Sequence, residues 1–414
     1  MDGRKVRHTC ERQGIRNGRN AHCQNRLDAC RTRTRFFRLK AHPEGCTCGC
    51  ADNRQIVRLS VITADDSLED LYKHYSNGFR KAVDSVFGDE YPEMADQLRA
   101  NVSRFSAYKA NYVRQAFDDN ARKYSGKDLD DVNKATINQF NRWTAAELTT
   151  AGARARTAKQ FTEFNEPDRR ELFPCLKWLP SRAVNPRQSH MRFYDHIWKK
   201  DDPFWNNNAP GTEWNCMCDI EECDDQPTDN SKVKQPDIPK GLEGNPSVTG
   251  EIFTDKASYI AKSGQNRKER DNAEYKVELF VHKKYKHDSE SNPLLSQSFQ
   301  CEIEGVKQDI HFAEWGISET AYSMLGRKNI YWLKNEVLNN PQRYFEKAEY
   351  RHSADIDLSH NTGKTLRLKK KFQKYFYSEI KLANGQSAYL NIVLHKDGLY
   401  YLYTISKNIT DYNN

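Results

Sequence analysis

NPRQSHMRFYDHIWKKDDPFWNNNAPGTEWNCMCD, running from Asn185 to Asp219, is the most distinctive stretch of the chain. It holds an Arg-x-x-His pair (Arg187, His190), the box Asp202-Pro203-Phe204-Trp205 and the ending Trp214-x-Cys216-x-Cys218. Three tryptophans (Trp198, Trp205, Trp214) in polar, irregular sequence are not linker composition, and irregular chain of this length is held for a purpose. In extended chain Cys216 and Cys218 point the same way. They could ligate one metal together with His190 and with Cys223 or His196. The spacing is not that of a standard finger, so a reduced, packed pair is expected, with no metal and no cofactor. Zinc is the alternative, and a disulfide within C-x-C would be strained. Arg187, His190 and Asp202 also read as an acid–base set, because a histidine beside a carboxylate is a common general base. The competing reading puts Arg187 and Asp201 or Asp202 in ion pairs that tie down the loop, with Trp205 and Trp214 plugging its underside. That structural reading is the expectation.

Upstream, the periodicity is helical. Leu68, Leu71, Tyr72, Tyr75, Phe79, Val83 and Phe87 recur at steps of three and four, and Ser67 with Asp70 offers a capping-box start. A second helix is predicted over 92–124, with Leu98, Val102, Phe105, Tyr108, Tyr112 and Phe117 as its apolar stripe. A third runs from about 130 to 164, with a possible break at Gly152. Pro167 ends it.

Downstream, residues 224–248 are rich in proline, glycine and charge and read as a linker. Residues 249–414 then read as an α+β unit opened by Phe253 and Tyr259. Helices are predicted over 254–273 and 317–347, the latter carrying Tyr322, Leu325, Ile330, Trp332, Leu333, Val337 and Leu338. Strands are predicted at 275–283 and 308–315. Three final strands are joined by Asn384-Gly385 and Asp397-Gly398, dipeptides that close hairpins. The fold class is therefore multidomain: a mainly α-helical unit with an irregular Trp/Cys loop region, then an α+β unit ending in an antiparallel β-meander.

At 37% hydrophobic and 11% aromatic residues the chain can build ordinary cores, so a wholly disordered protein is excluded. No apolar run is long enough for a bilayer, and the basic N-terminus lacks an apolar signal core, so the expected compartment is the cytoplasm with no membrane partner. The net charge of +8 is concentrated at one end: residues 1–60 hold fourteen Lys/Arg against five Asp/Glu. Six of the eleven cysteines lie in the first fifty residues. Residues 1–55 read as a basic, Cys-rich, disordered tail. RTRTRFFRLK (31–40) as a nucleic-acid arm and CTCGC (46–50) as half a zinc site are the alternatives.

The ordered elements of the quoted stretch resemble the signature of the phage Mu F-like head-morphogenesis family, the minor head proteins. Arg187 and His190 match its Arg…His pair, Asp202-Pro203-Phe204-Trp205 its DPFW box, and Trp214-x-Cys216-x-Cys218 its Cys-Arg-Cys ending. Met217 stands where that family has arginine, and Ala209-Pro210 where it has Pro-Pro. The resemblance covers roughly 66–223. It implies a virion component at 56–223 that assists assembly or DNA delivery beside portal and capsid proteins. It implies residence in the virion and the bacterial host cytoplasm.

Such proteins often carry a toxin or nuclease after the head domain. The layout of 249–414 resembles the phage branch of the barnase/EndoU/colicin/RelE-like ribonucleases, which implies an RNA substrate and a possible immunity protein. Metal-free RNA cleavage needs a base, an acid and cations. The candidates are His352, on a loop before the sheet, His395, Lys381, Thr404 and Ser406. Alternation along the last strand predicts a polar row of Tyr400, Thr404 and Ser406. Arg367, Lys369, Lys370, Lys371 and Lys374 form a basic run for phosphates. His311 with Glu314 is a further pair. The alternative is a non-catalytic module that binds portal, nucleic acid or another partner. No Walker, Gly-rich or H-E-x-x-H motif occurs, which argues against ATPase and metalloprotease activity.

Overall fold

The structure, a computed structural model, describes residues 59, 61–181, 186, 188–262, 293–322, 329–359 and 361–409. The chain divides into Met1–Gln55 and Ile56–Asn414, and every described residue belongs to the second unit. The expected basic tail, the strand at 275–283 and Arg187 lie outside the described residues.

Ser67 starts α1 (Leu68–Phe87) through the capping box: its hydroxyl accepts the Asp70 N–H while the Asp70 carboxylate accepts its own. Helix α2 spans Pro92–Lys123 and begins with proline, whose missing amide costs nothing in a first turn. Helix α3 spans Gly126–Phe164 without a break at Gly152. A single interior glycine costs about 1 kcal/mol against alanine, too little to interrupt a helix packed along its length. The apolar stripes read from sequence are the core: Leu71, Tyr75, Phe79 and Val83 meet Leu98, Val102, Phe105 and Val113, with Phe140 and Ala151 from α3.

After α3 the chain forms α4 (Pro167–Leu172), β1 (Cys175–Leu179), α5 (Gln188–Met191), β2 (Ile197–Lys199), α6 (Phe204–Asn207) and β3 (Asp219–Cys223). The strands make a small antiparallel sheet in the order β2-β1-β3.

The stretch expected as a linker is exposed at first and then packs, with Gly241, Leu242, Asn245 and Pro246 buried. The buried guanidinium of Arg154 donates to the carbonyls of Leu242, Gly244 and Glu251. Burial pulls the Arg154 pKa down to about 10. Asn101 accepts the N–H groups of Ile252 and Phe253 and donates to the Phe253 carbonyl. After α7 (Pro246–Thr249), Phe253 stacks on Phe105 with centroids 4.0 Å apart. Tyr259 and Ile260 of α8 (Ser258–Lys262) enter the same core. Residues 242–260 therefore complete the helical core; Phe253 and Tyr259 do not open the next unit.

The C-terminal part contains β4 (Ser298–Ile303), β5 (Val306–His311), α9 (Glu314–Tyr322), α10 (Asn329–Asn339), α11 (Pro341–Phe345), β6 (Glu349–Asp355), α12 (Gly363–Lys369), β7 (Phe372–Lys381), β8 (Ser387–His395) and β9 (Tyr400–Ser406). The sheet order is β4-β5-β9-β8-β7-β6, antiparallel except for a short parallel pairing of β5 with β9. The protein is thus a mixed α+β chain. The predicted meander is the centre of a six-stranded sheet, to which β4 and β6 are additions that the sequence reading did not contain. Glu304 and Gly305, both at positive φ, turn β4 into β5. The predicted helix 317–347 is divided, with Pro341 opening α11, and the side chains of Tyr322, Leu325 and Ile330 lie outside those described.

The sheet curls. Glu304, at the tip of the β4–β5 turn, accepts hydrogen bonds from Tyr350 on β6 and Lys374 on β7. Its inner face buries Ile303, Ile310, Phe376, Leu390, Ile392, Leu402 and Ile405 against Trp332, Leu333 and Val337 of α10 and Phe345 of α11. Polar ties join this part to the helices, among them two that reach buried carboxylates. Arg80 pairs with the buried Glu336, and Arg343 and Tyr344 donate to the buried Asp96 at 2.6 and 2.8 Å.

Candidate functional site

Helix α3 is the floor on which the quoted stretch is built. Its polar residues Thr150, Thr157 and Gln160, seven and then three residues apart, lie along one face of the helix. They bind the Asn215 N–H, the Pro210 carbonyl and the Asp219 carboxylate at 3.0, 2.8 and 2.8 Å. Gly211, at φ +90°, lies so close to Arg154 that a Cβ would sit 2.8 Å from Arg154 Cγ. Above the end of α3, Trp178 stacks parallel to Trp205 and Trp198 parallel to Phe204, with Phe161, Phe193 and Ile220 filling the gaps. The Trp205 indole donates to the Lys199 carbonyl at 2.9 Å. Among the described residues Asp202 forms no ion pair: its carboxylate accepts the Phe204 N–H at 2.8 Å, a turn bond that leads the chain into α6, whose N-cap is Pro203. Trp205 plugs this small core as expected. Trp214 does not; it stacks on Phe253 in the helical core.

His190, on α5, is 1% exposed. Its Nδ1 stands 3.5 Å from Cys216 Sγ and 3.5 Å from Cys218 Sγ. Its Nε2 faces Glu213 Oε1 at 3.5 Å, and Ser189 Oγ donates to that same oxygen at 2.7 Å. The ring also packs edge-on against Trp178. A turn in which the Cys216 N–H bonds the Glu213 carbonyl brings the carboxylate and the first thiol to one histidine. The Cys218 thiol holds the Cys216 pKa well below the ordinary thiol value by hydrogen bonding, assisted by His190 and opposed by burial. In return Cys218 is pushed up, first by the Cys216 sulfur and then by burial.

The alternative acid–base set is not brought together at His190: Asp202 holds the turn into α6, Arg187 lies outside the described residues, and the carboxylate beside His190 is Glu213. The other proposed metal ligands are elsewhere. His196 Nδ1 binds Asn230 Oδ1 at 2.7 Å, and Cys223 stands opposite Cys175 across β1 and β3. Among the described residues, His190, Cys216 and Cys218 are the one group of three such ligands close enough for a metal, all within 4.8 Å of one another. Glu213 was missed; its place one residue before Trp214 gave no signal of a side chain turned back to a histidine.

Comparison with known proteins finds no match. No family model fits the sequence, and no curated protein or solved structure matches it.

In the C-terminal sheet, His352, Lys381, His395, Thr404 and Ser406 all fall on the outer face, by register with Tyr377, Ser387, Phe372, Asn391 and Tyr389. They do not converge. His352 lies two strands and four residues from His395, roughly 16 Å at ordinary sheet spacings, and three strands from Thr404, roughly 14 Å. On the convex side of a curled sheet the side chains diverge further. His352 is in edge strand β6, not on a loop, and its ring stacks against Tyr377. His395 Nδ1 meets Asp397 Oδ2 at 2.9 Å. Lys381 is engaged by Glu379 and Ser387. Ser406 donates to Asn391 Oδ1, and buried Thr404 Oγ1 has no partner among the described residues.

A register shift opposite Asn391 and Ile392 breaks the predicted alternation. It leaves Thr404 and Ser406 outside but turns Tyr400 to the inner face beside Phe376. The basic run is also divided. Arg367, Lys370 and Lys371 are exposed, Lys369 is buried, and Lys374 pairs with Glu304. His311 ends β5 against the Tyr401 ring, and Glu314 opens α9 exposed.

Proposed function

We propose that this chain is a phage or prophage minor head protein. A Mu F-like head-morphogenesis module at 56–223 engages portal and capsid proteins in the virion and, before packaging, in the host cytoplasm. The α+β part that follows is a ribonuclease-like effector. One observation carries the first half: the motif residues do structural work. Asp202 holds the turn into α6, Trp205 and Trp214 pack into two cores, and the loop between them is bonded along α3. A rigid platform of this kind suits assembly better than turnover. Co-expression with the cognate portal and capsid genes tests it. The full chain is expected in purified heads, and its absence from them sinks the reading.

For the effector, the Asn391, Thr404 and Ser406 group and the strand histidine His352 supply polar chemistry on one sheet face. RNA cleavage by the full chain in the presence of chelator is expected, with His352→Ala slowing it about 10²- to 10⁴-fold, the usual contribution of a positioned base. The wide separation of the candidates favours a second reading, a non-catalytic module that holds RNA, portal or an immunity-type partner. Intact RNA, or equal rates in wild type and variant, selects that second reading.

A further inference from the structure

We propose that His190, Cys216 and Cys218 bind one zinc ion, with Glu213 orienting the histidine and water completing a tetrahedron. The inference is independent of the head-protein reading, since it rests on ligand chemistry alone. Zinc–sulfur and zinc–nitrogen bonds of about 2.3 and 2.05 Å at tetrahedral angles set each S···N separation at about 3.5 Å. Both sulfurs stand 3.5 Å from His190 Nδ1. A ring nitrogen has one lone pair or one hydrogen, enough for a single well-formed hydrogen bond. Two sulfurs equidistant from that one atom are what a metal on its lone pair produces.

The rest of the surroundings fits. Nδ1 as ligand requires the proton on Nε2, and Nε2 is the atom that faces the Glu213 carboxylate. A carboxylate behind a ligating imidazole fixes the tautomer and strengthens the ligand. The site is built from within, with His190 and Cys216 almost wholly buried and Trp178 packed on the ring. No fourth His, Cys, Asp or Glu among the described residues joins the group, and Cys218 is its more accessible member. The fourth corner therefore falls to water on that side. Each thiol releases its proton as the metal binds, leaving two thiolates and a neutral imidazole. The ion clips the start of the quoted stretch to its end, across 26 and 28 residues.

The full-length protein, purified under reductant, is assayed for zinc by mass spectrometry beside Cys216→Ser/Cys218→Ser. Other cysteines can carry metal, so the difference is the readout. One equivalent is expected to disappear in the double variant and to persist in Cys175→Ser/Cys223→Ser. Equal zinc in wild type and Cys216→Ser/Cys218→Ser overturns the proposal. Should that variant misfold by circular dichroism, cobalt added to metal-free wild type decides. Thiolate-to-cobalt charge transfer with the visible bands of a tetrahedral ion is expected, lost on prior carboxymethylation of Cys216 and Cys218 (verified by peptide mapping), and a purely octahedral spectrum overturns the site. Glu213→Gln is expected to bind a full equivalent with about 10- to 100-fold weaker affinity in chelator competition. Unchanged affinity removes the orienting role.

Discussion

Glu379 collects three donors on one carboxylate: Lys381 Nζ and Ser387 Oγ on Oε1, and Arg351 Nε on Oε2. The Lys381 hydrogen bond, then that of Ser387, lowers its pKa to about 2. A depressed carboxylate stabilises the fold fully above its unfolded pKa, near 4.5, and that contribution is lost as pH falls towards 2. Arg351 and Lys381 are largely exposed, so screening leaves on the order of 1 kcal/mol. Thermal melts between pH 5 and pH 2 should fall more steeply for wild type than for Glu379→Gln; parallel curves refute the assignment. Steric limits act at the same scale. A Cβ on Gly316 would lie 2.0 Å from the Leu402 carbonyl oxygen, so Gly316→Ala must pry α9 from β9. A loss of several kcal/mol is expected in urea unfolding, the range for overpacking against backbone. Residue identity was legible in the sequence and residue partnership was not. Lys381 read as a catalytic cation because nothing in the local sequence reveals a carboxylate two positions back on the same face and a serine across the turn.

At the level of elements, sequence periodicity served well where one pattern ran long. The stripes of α1 and α2 and the three hairpin-linked strands were legible because their apolar spacing repeats and their turns carry Asn-Gly and Asp-Gly. Strand β6 escaped, since an edge strand such as EYRHSAD has polar residues on most positions and shows no apolar alternation. The β9 face was misread at Tyr400 for a different reason: a bulge adds a residue, and the count of two fails beyond it. Helices α2 and α3 pose the sharper energetic question. Lys109 and Glu147 pair across them in full burial, with the Lys109 ammonium between the Tyr75 and Tyr259 rings. Burial lowers the Lys109 pKa, so the pair is held by its geometry against desolvation. Glu147→Ala is expected to cost about 3–5 kcal/mol by stranding the ammonium, whereas Lys109→Met/Glu147→Leu should recover most of it. Chemical denaturation of both variants checks the contrast, and equal losses would contradict it.

Across the whole molecule, the division expected at residue 249 and the packing diverge. The sequence showed a run of proline, glycine and charge, and composition alone could not reveal that its second half is gripped by Arg154 and Asn101. Cutting the chain before Gly250 therefore removes part of the helical core. Phe253→Ala should destabilise the protein by about 3–5 kcal/mol, the usual cost of deleting a buried aromatic. Amide exchange should rise first in α1 and α2, although the mutation lies outside them. Faster exchange confined to the C-terminal sheet would place Phe253 with the wrong partners.

That grip has a consequence for synthesis. The side chain of Asn101 bonds Phe253, 152 residues later in the chain. At ordinary translation rates the groove beside Phe105 waits roughly 10–30 s for the residues that close it. The nascent helices must pass that interval with an aromatic surface open to whatever else is in the cell.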